Sequence, residues 1–256
     1  MAVIVQRHLD PEVSGVMFTP AHGGDVTVLE AVWGLGPSVV AGTVTPDAYR
    51  VHANGTVDAA VAHKRTRLDR MGTRLVERTV PVEHRERATL DAATVTRLVA
   101  SGAEVAAVLG GPQDIEWAIA DGRIWLLQAR PLTAAFPPMA PSSAPPSGPT
   151  TLTGAPGSVG SATGTARTVR GPDDFARVGE GDVLICPYTD PAWTPLLRMV
   201  AGVVTETGGM LSHAAIVARE HGIPAVLGVP DVIERISDGV TVDVDGTTGT
   251  VTIRDR

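Results

Sequence analysis

The sequence predicts an α+β protein with two separately packed blocks. Residues 136–149 read FPPMAPSSAPPSGP, a run of Pro, Ser and Ala without charge or period that is typical of an extended linker. Short β-type runs occur on both sides of this segment, and residues 90–109 carry apolar side chains at mostly helical spacing. We therefore place the first block at residues 1–133, the linker at 134–150 and the second block at 151–256.

Composition and charge argue against several classes of protein. The chain has 256 residues, of which 43% are hydrophobic and 19% charged, an ordinary globular composition. Its formal net charge of −7 argues against a nucleic acid or an anionic membrane as the main partner. The single cysteine, Cys186, cannot form an internal disulfide, which fits a reducing compartment. Since we find neither a signal-peptide pattern nor an apolar run of the ~20 residues that span a bilayer, we expect a cytoplasmic protein.

Most of the first block reads as short strands. The runs that favour strands are residues 2–6, 15–19, 26–30 and 57–61. Two charged stretches, at residues 63–74 and 82–87, read as solvated faces or loops.

One hairpin of the first block carries a polar face. Its turn contains Asp121-Gly122, and the flanking runs alternate apolar and polar residues. A two-residue turn would put Glu116 and Gln128 on opposite faces, whereas a three-residue loop at 120–122 keeps them together. We predict the three-residue loop with Gly122 left-handed, because it also gathers on one face the apolar residues Ile115, Trp117, Ile119, Trp125 and Leu127. Glu116, Gln128 and Arg130 then share the other face, which is either a solvated surface or part of a ligand site.

The second block combines short strands with one helix. Strand-like runs lie at residues 160–169, 182–186, 201–205, 225–227, 241–244 and 250–253. Ser212 is a favourable N-cap for a helix that Gly222 and Pro224 end. His213 then falls in the first turn of this helix.

A histidine at this position is suited to phosphoryl chemistry. The unpaired N–H groups and the positive dipole end of a helix N-terminus favour an anion and disfavour imidazolium. The ring of His213 is therefore expected to be neutral, exposed and nucleophilic near neutral pH. Gly208 and Gly209 allow the backbone to approach a ligand closely. On position alone, a purely structural histidine is the alternative.

The surrounding residues resemble a known signature. Residues 205–229 read TETGGMLSHAAIVAREHGIPAVLGV, which is similar to the phosphohistidine signature of PEP-utilising enzymes. That family includes PEP synthase, pyruvate phosphate dikinase and rifampicin phosphotransferase. The resemblance implies that residues 151–256 form a β/α swivelling mobile domain and that His213 is its phosphoryl carrier.

The first block resembles the later half, or C-terminal lobe, of the ATP-grasp domain of the same family. The matching stretches are VIVQRHLDPEVSGVMFT, VLEAVWGLGPSVVAGTVTPDAY and DIEWAIADGRIWLLQARPLT. This resemblance implies that the adenine of ATP meets a hinge strand, at Gln6, Arg7 and His8. It also implies that Glu116 and Gln128 hold Mg²⁺ and phosphate oxygens, and that Arg130 neutralises charge on the transferring group.

The sequence also departs from the family pattern. Pro37 stands where the family usually has Glu, and the Asp-Pro that normally follows MFT is missing. Neither the ATP-grasp N-lobe nor an acceptor-binding domain is recognisable. We therefore expect a phosphotransferase component that relays a phosphoryl group from ATP through His213 to a small-molecule acceptor, with partner proteins supplying both missing parts. The alternatives are an inactive or regulatory paralogue that acts as a binding module, and a truncated gene model.

Overall fold

The structure is a computed structural model with two compact units. It describes residues 8–21, 24–132 and 150–254. The first unit contains Met1–Ser38 and Asp47–Leu132, and the second contains Val39–Pro46 and Thr133–Arg256. Helices and strands are mixed in both units, which confirms the α+β class. Residues 39–46, placed in the first block by sequence, pack with the second unit, and the predicted linker lies outside the described residues apart from Thr150.

The chain up to residue 132 contains eight strands and three helices among its described residues. In chain order they are β1 (Val13–Phe18), β2 (Val26–Trp33), α1 (Pro37–Val40), β3 (Asp47–His52), β4 (Val57–Ala60), β5 (Thr66–Met71), β6 (Arg74–Thr79), α2 (Val82–Arg85), α3 (Ala92–Leu109), β7 (Gln113–Ala120) and β8 (Arg123–Pro131). Six of the strands form an antiparallel sheet in the order β4-β3-β2-β1-β7-β8. Strands β5 and β6 form a separate two-stranded ribbon.

Helix α3 covers one face of the six-stranded sheet. Asp91 caps its first turn by accepting a hydrogen bond from the Thr94 N–H, and Gly110 ends it in the left-handed conformation. Val95 and Leu98 are buried against the apolar side chains of the sheet. By length and composition alone α3 could also cross a membrane, and it is the one such helix in the described part of the chain.

The β7–β8 hairpin has the predicted polar face, but a different turn and a β-bulge produce it. Asp121 and Gly122 both have positive φ (53° and 70°), so the turn has two residues, not three. A β-bulge then restores the parity: Glu116 pairs with Gln128 and Trp117 with Leu126, which leaves Leu127 as the extra residue. The predicted apolar face is therefore wrong on β8, where Ile124 and Leu126 take the places expected for Trp125 and Leu127.

The charged stretch at residues 63–74 belongs mostly to the β5–β6 ribbon, and residues 70–74 are exposed as predicted, but Lys64 is not. Lys64 is only 1% exposed and donates to the carboxylate of Asp47, which is itself fully buried. The second oxygen of Asp47 accepts hydrogen bonds from the backbone and hydroxyl of Thr89. This network joins the start of β3 to the loops that precede β5 and α3.

The described part of the chain after residue 149 forms one eight-stranded mixed sheet. Its elements are β9 (Thr151–Thr153), β10 (Ala155–Ser158), β11 (Ser161–Thr168), β12 (Val183–Cys186), α4 (Thr194–Leu197), β13 (Gly202–Thr205), α5 (His213–His221), β14 (Ala225–Leu227), α6 (Val232–Arg235), β15 (Thr241–Asp245) and β16 (Thr250–Ile253), with 3₁₀ turns at Pro172–Arg177 and Pro191–Trp193. Strands β11, β12, β13 and β14 are parallel neighbours, and the outer strands pair antiparallel.

Both faces of the second sheet are buried. Along β12, Leu184 and Cys186 face the cluster that contains α5, whereas Val183 and Ile185 face the cluster that contains α6. This explains why the central strands are continuous apolar runs rather than alternating ones. Burial raises the pKa of the Cys186 thiol well above its usual range, so this side chain serves as core.

We expect Gly15→Ala to destabilise the first unit by about 3 kcal/mol, because an added Cβ would lie 2.0 Å from the Glu30 carbonyl oxygen and 2.4 Å from the Trp117 ring. Gly36→Ala is the matched control, since its Cβ would meet its nearest neighbour, Ser14, at an ordinary 3.6 Å. Urea denaturation measures both. Equal stability of the two variants would contradict the close packing of β1, β2 and β7.

Candidate functional site

In the second unit, two neighbouring parallel strands bring Thr189 and His213 together. Strand β12 ends at Cys186 and β13 at Thr205, and the loops that follow them continue side by side. The Glu206 N–H donates to the Cys186 carbonyl, and the Thr207 N–H donates to that of Pro187. The carboxyl ends of parallel strands are where α/β sheets commonly bind ligands.

His213 is held through one of its two ring nitrogens. Its Nδ1 lies 2.9 Å from the Thr189 hydroxyl oxygen. For Nε2, the described residues provide no hydrogen-bond partner. The ring is half-buried, so the expectation of an exposed ring is wrong. Burial lowers the pKa of His213, and the negative charges of Asp190 and Glu220 oppose that shift.

The loop before α5 is fixed by side chains that hold its carbonyl groups. Ser212 occupies the N-cap position, but its hydroxyl donates to the Gly209 carbonyl instead of capping the first turn. Arg219 donates to the carbonyls of Met210 and Ala215. The first turn of the nine-residue helix α5 is therefore left without a side-chain cap, as an anion-binding helix end requires.

The residues predicted on the β7–β8 hairpin do share one face in the first unit. Glu116 Oε1 accepts a hydrogen bond from Gln128 Nε2 at 3.1 Å and one from Arg130 Nη2 at 3.2 Å. Gln128 and Arg130 are exposed, and the Glu116 side chain is about one-third exposed. The three side chains form a small charged cluster that solvent can reach.

Two carboxylates on the same face escaped the sequence analysis. Asp114 is the cross-strand neighbour of Arg130, and its buried Oδ1 has no hydrogen-bond partner among the described residues. Desolvation raises the pKa of Asp114; the charge of Arg130 opposes this, and that of Glu116 adds to it. Strand register also places the buried Glu30 on this face, because Val16 pairs with both Glu30 and Glu116. A lone acidic residue within an apolar strand run is a signal that could have identified Glu30.

The donor set of this face fits Mg²⁺ better than a transition metal. The described residues contain no convergent group of three or more His, Cys, Asp or Glu side chains. Magnesium is held in proteins by one or two carboxylates together with phosphate oxygens and water. The Glu116 carboxylate and the side-chain amide oxygen of Gln128 could serve as such ligands, and the unpartnered oxygen of Asp114 lies on the same face.

Most of the predicted hinge strand lies outside the described residues. Gln6 and Arg7 lie outside the described residues. His8 is exposed and belongs to no strand.

Two known protein families match parts of this chain. Residues 1–143 match the family described as pyruvate phosphate dikinase, AMP/ATP-binding domain. Residues 178–249, which include His213, match the PEP-utilising enzyme mobile domain. The chain belongs to the PEP-utilising enzyme family.

Curated relatives in this family match almost the whole chain. A probable phosphoenolpyruvate synthase of Methanothermobacter thermautotrophicus is 36% identical over 98% of this chain and 37% of its own length. The probable phosphoenolpyruvate synthase of Archaeoglobus fulgidus is 36% identical over 98% of this chain and 34% of its own length. The Escherichia coli phosphoenolpyruvate synthase is 34% identical over 96% of this chain and 34% of its own length. The chain thus spans about a third of the length of these relatives. The AMP/ATP-binding family that residues 1–143 match supports ATP, with Mg²⁺, as the cofactors.

Thr189→Val should release the ring of His213. The valine keeps the shape but removes the oxygen that faces Nδ1, so the neutral ring should become a mixture of both tautomers, whereas Thr189→Ser should keep a single one. Nitrogen-15 NMR of the imidazole reports the tautomer and the titration. In the unchanged protein the ring should titrate below the ordinary value of 6.5, staying neutral as pH falls to that point. One dominant tautomer in the valine variant would show that Thr189 does not orient the ring.

Proposed function

We propose that this chain is the phosphoryl-relay part of a phosphotransferase of the PEP synthase and dikinase type. In this proposal ATP is the donor, His213 carries the phosphoryl group, and a small molecule accepts it. The observation that carries the proposal is the ring of His213, half-buried, with Nδ1 engaged by Thr189 and Nε2 without a partner among the described residues. A ring that served only to stabilise the fold would be expected to use both nitrogens.

The geometry supports nucleophilic attack by Nε2. When Nδ1 carries the proton and donates it to Thr189, the lone pair resides on Nε2. That lone pair forms the N–P bond while the bond from phosphorus to the leaving phosphate oxygen breaks, and the leaving group keeps its electron pair. The lowered pKa of His213 keeps the lone pair free of a proton near neutral pH. The uncapped first turn of α5 then offers N–H groups to the new phosphoryl oxygens.

The sheet face that carries Glu116, Gln128, Arg130 and Asp114, which we call the Glu116 face, has side chains suited to binding the phosphoryl donor. Glu116 and Gln128 would hold Mg²⁺ and phosphate oxygens, and Arg130 would offset the charge that develops on the group in transfer. When bound, Mg²⁺ neutralises phosphate charge and fixes the orientation of the phosphates. Gln6, Arg7 and His8 stay in the proposal as the segment that meets adenine, although His8 itself lies in no strand.

The partners and the location of the protein are proposals as well. Other polypeptides would supply the ATP-grasp N-lobe and the acceptor-binding domain, and the composition favours the cytoplasm. An inactive or regulatory paralogue is the competing reading, and phosphoryl labelling separates the two.

Labelling should be attempted with radioactive ATP and Mg²⁺, together with the amino-terminal half of an AMP/ATP-binding domain from a PEP synthase relative. Labelled PEP with an acceptor-domain partner is the second arm. We expect one acid-labile, base-stable label per chain, because a phosphoramidate hydrolyses in acid. His213→Ala should abolish it.

His221→Ala is the matched control, because His221 ends the same helix and is exposed. It should keep full labelling. Label that persists in the His213→Ala variant would exclude this residue as the carrier, and no label with any partner would favour the inactive paralogue.

Mg-ATP binding tests the donor face separately. Glu116→Gln and Arg130→Ala should each weaken binding by roughly tenfold, since each removes a charged contact to phosphate or metal. Arg123→Ala is the control: it lies on the same face of β8, paired with Ala120, but away from the cluster. Titration calorimetry, with and without the partner polypeptide, measures all three. An equal loss of affinity in Arg123→Ala would mean that Mg-ATP responds to the net charge of the protein and not to the Glu116 cluster.

A further inference from the structure

A pocket lies on the first unit, between the β5–β6 ribbon and the end of β2. Its volume is about 470 Å³, within the range of small-molecule sites. We call it the ribbon pocket, and the residues that define it are Trp33, Leu35, Arg67, Asp69, Arg70 and Arg78. One wall is apolar, formed by Trp33 and Leu35, and the other carries the three arginines.

The apolar wall is held in place by the backbone. The Trp33 indole N–H donates to the His84 carbonyl at 3.2 Å, and the two rings lie 6.0 Å apart. The Leu35 N–H donates to the Leu68 carbonyl at 2.8 Å, which ties β2 to the ribbon. Gly34, with φ of 78°, permits this approach, because a Cβ there would be 2.3 Å from the Leu68 carbonyl oxygen. The pocket is therefore preformed.

The charged wall has two arginines that face each other. Arg67 and Arg78 are direct cross-strand partners on the ribbon, a position where like charges repel. Both turn to one carboxylate: Asp69 lies 2.7 Å from Arg67 and 3.9 Å from Arg78. One negative charge between two guanidinium groups leaves a net charge of +1.

The pocket lining contains two further carboxylates, Asp10 and Glu12. Asp10 forms a two-point ion pair with Arg70. Glu12 accepts a hydrogen bond from the Asp121 N–H at 3.2 Å. The positive charge is therefore a local one, carried by Arg67 and Arg78 around Asp69, whereas the whole lining has three arginines and three carboxylates. The Arg78 side chain is half exposed.

We propose that the ribbon pocket binds a small organic anion, with a phosphate or carboxylate group on Arg78 and Arg67 and a flat, mostly apolar body against Trp33. Guanidinium groups match both anions through paired N–H donors. The indole face and Leu35 supply the contact that distinguishes such a ligand from an inorganic ion.

This site differs from the Glu116 face. Val13 pairs with both Trp33 and Ile119, so Trp33 shares the sheet face of Ile119. Glu116 lies three residues before Ile119 on β7 and hence points to the opposite face. Ligand binding in the ribbon pocket is therefore a separate proposal, which does not rest on the Glu116 face or on phosphoryl relay by His213.

Phenyl phosphate is a suitable probe, because it joins one phosphate to one flat ring. We expect a dissociation constant of about 1 mM or below by titration calorimetry, and a shift of the Trp33 indole signal by NMR, assigned with Trp33→Phe. Arg78→Ala should weaken binding at least tenfold, and circular dichroism checks that this exposed substitution leaves the fold intact. Arg74→Ala, on the same ribbon but outside the pocket lining, should bind normally.

Three results would overturn the proposal. The first is that 10 mM phenyl phosphate (roughly ten times the expected constant) gives neither calorimetric binding nor a shift of the Trp33 indole signal. The second is inorganic phosphate binding as tightly as phenyl phosphate, because the apolar wall would then contribute nothing. The third is an equal loss in Arg130→Ala, which would place the probe on the Glu116 face.

Discussion

Strand pairing is the constraint on which both units depend, because the two-residue period of a strand decides which side chains share a face. In the first sheet a single bulge at Leu127 sets this period for the outer half of β8. Without it, Gln128 and Arg130 would turn to the α3 face, and only carboxylates would remain around Glu116. In the second sheet the parallel register of β12 and β13 fixes where their loops begin. Thr189 and His213 are neighbours only because of that register.

The buried pair of Lys64 and Asp47 supports the first unit in a different way. An isolated charge in this environment would be strongly destabilising, so each partner requires the other, and removing one costs about 3–5 kcal/mol in comparable cases. Asp47 also satisfies the backbone N–H groups of Ala62 and Thr89. The β5–β6 ribbon therefore starts from a fixed point, which is what keeps a two-stranded ribbon, marginal by itself, in one position against β2.

His213 illustrates how opposing effects set the state of a site. Burial favours the neutral ring, whereas Asp190 and Glu220 favour the protonated one, and burial is the larger effect. An exposed ring, as expected from the sequence, would lack the part of this bias that comes from burial. Half-burial thus combines a reactive nitrogen with access for a ligand, while the Thr189 hydroxyl limits rotation of the ring.

The sequence by itself determined the α+β class, most strands of both blocks, the helix that begins at His213, and the family. These follow from local patterns: periodicity, a cap with a terminating Gly222, and a long specific motif. Tertiary structure alone decided that Lys64 is buried, that Asp114 and Glu30 join the Glu116 face, and that Thr189 holds His213. Each of these is a contact between residues distant in sequence, whose alignment depends on strand register and packing.

The β7–β8 hairpin shows the boundary between what the sequence determines and what the tertiary structure decides. The sequence predicted which side chains share its polar face, but whether a longer loop or a bulge achieved this was decided by how β7 and β8 pair along their whole length.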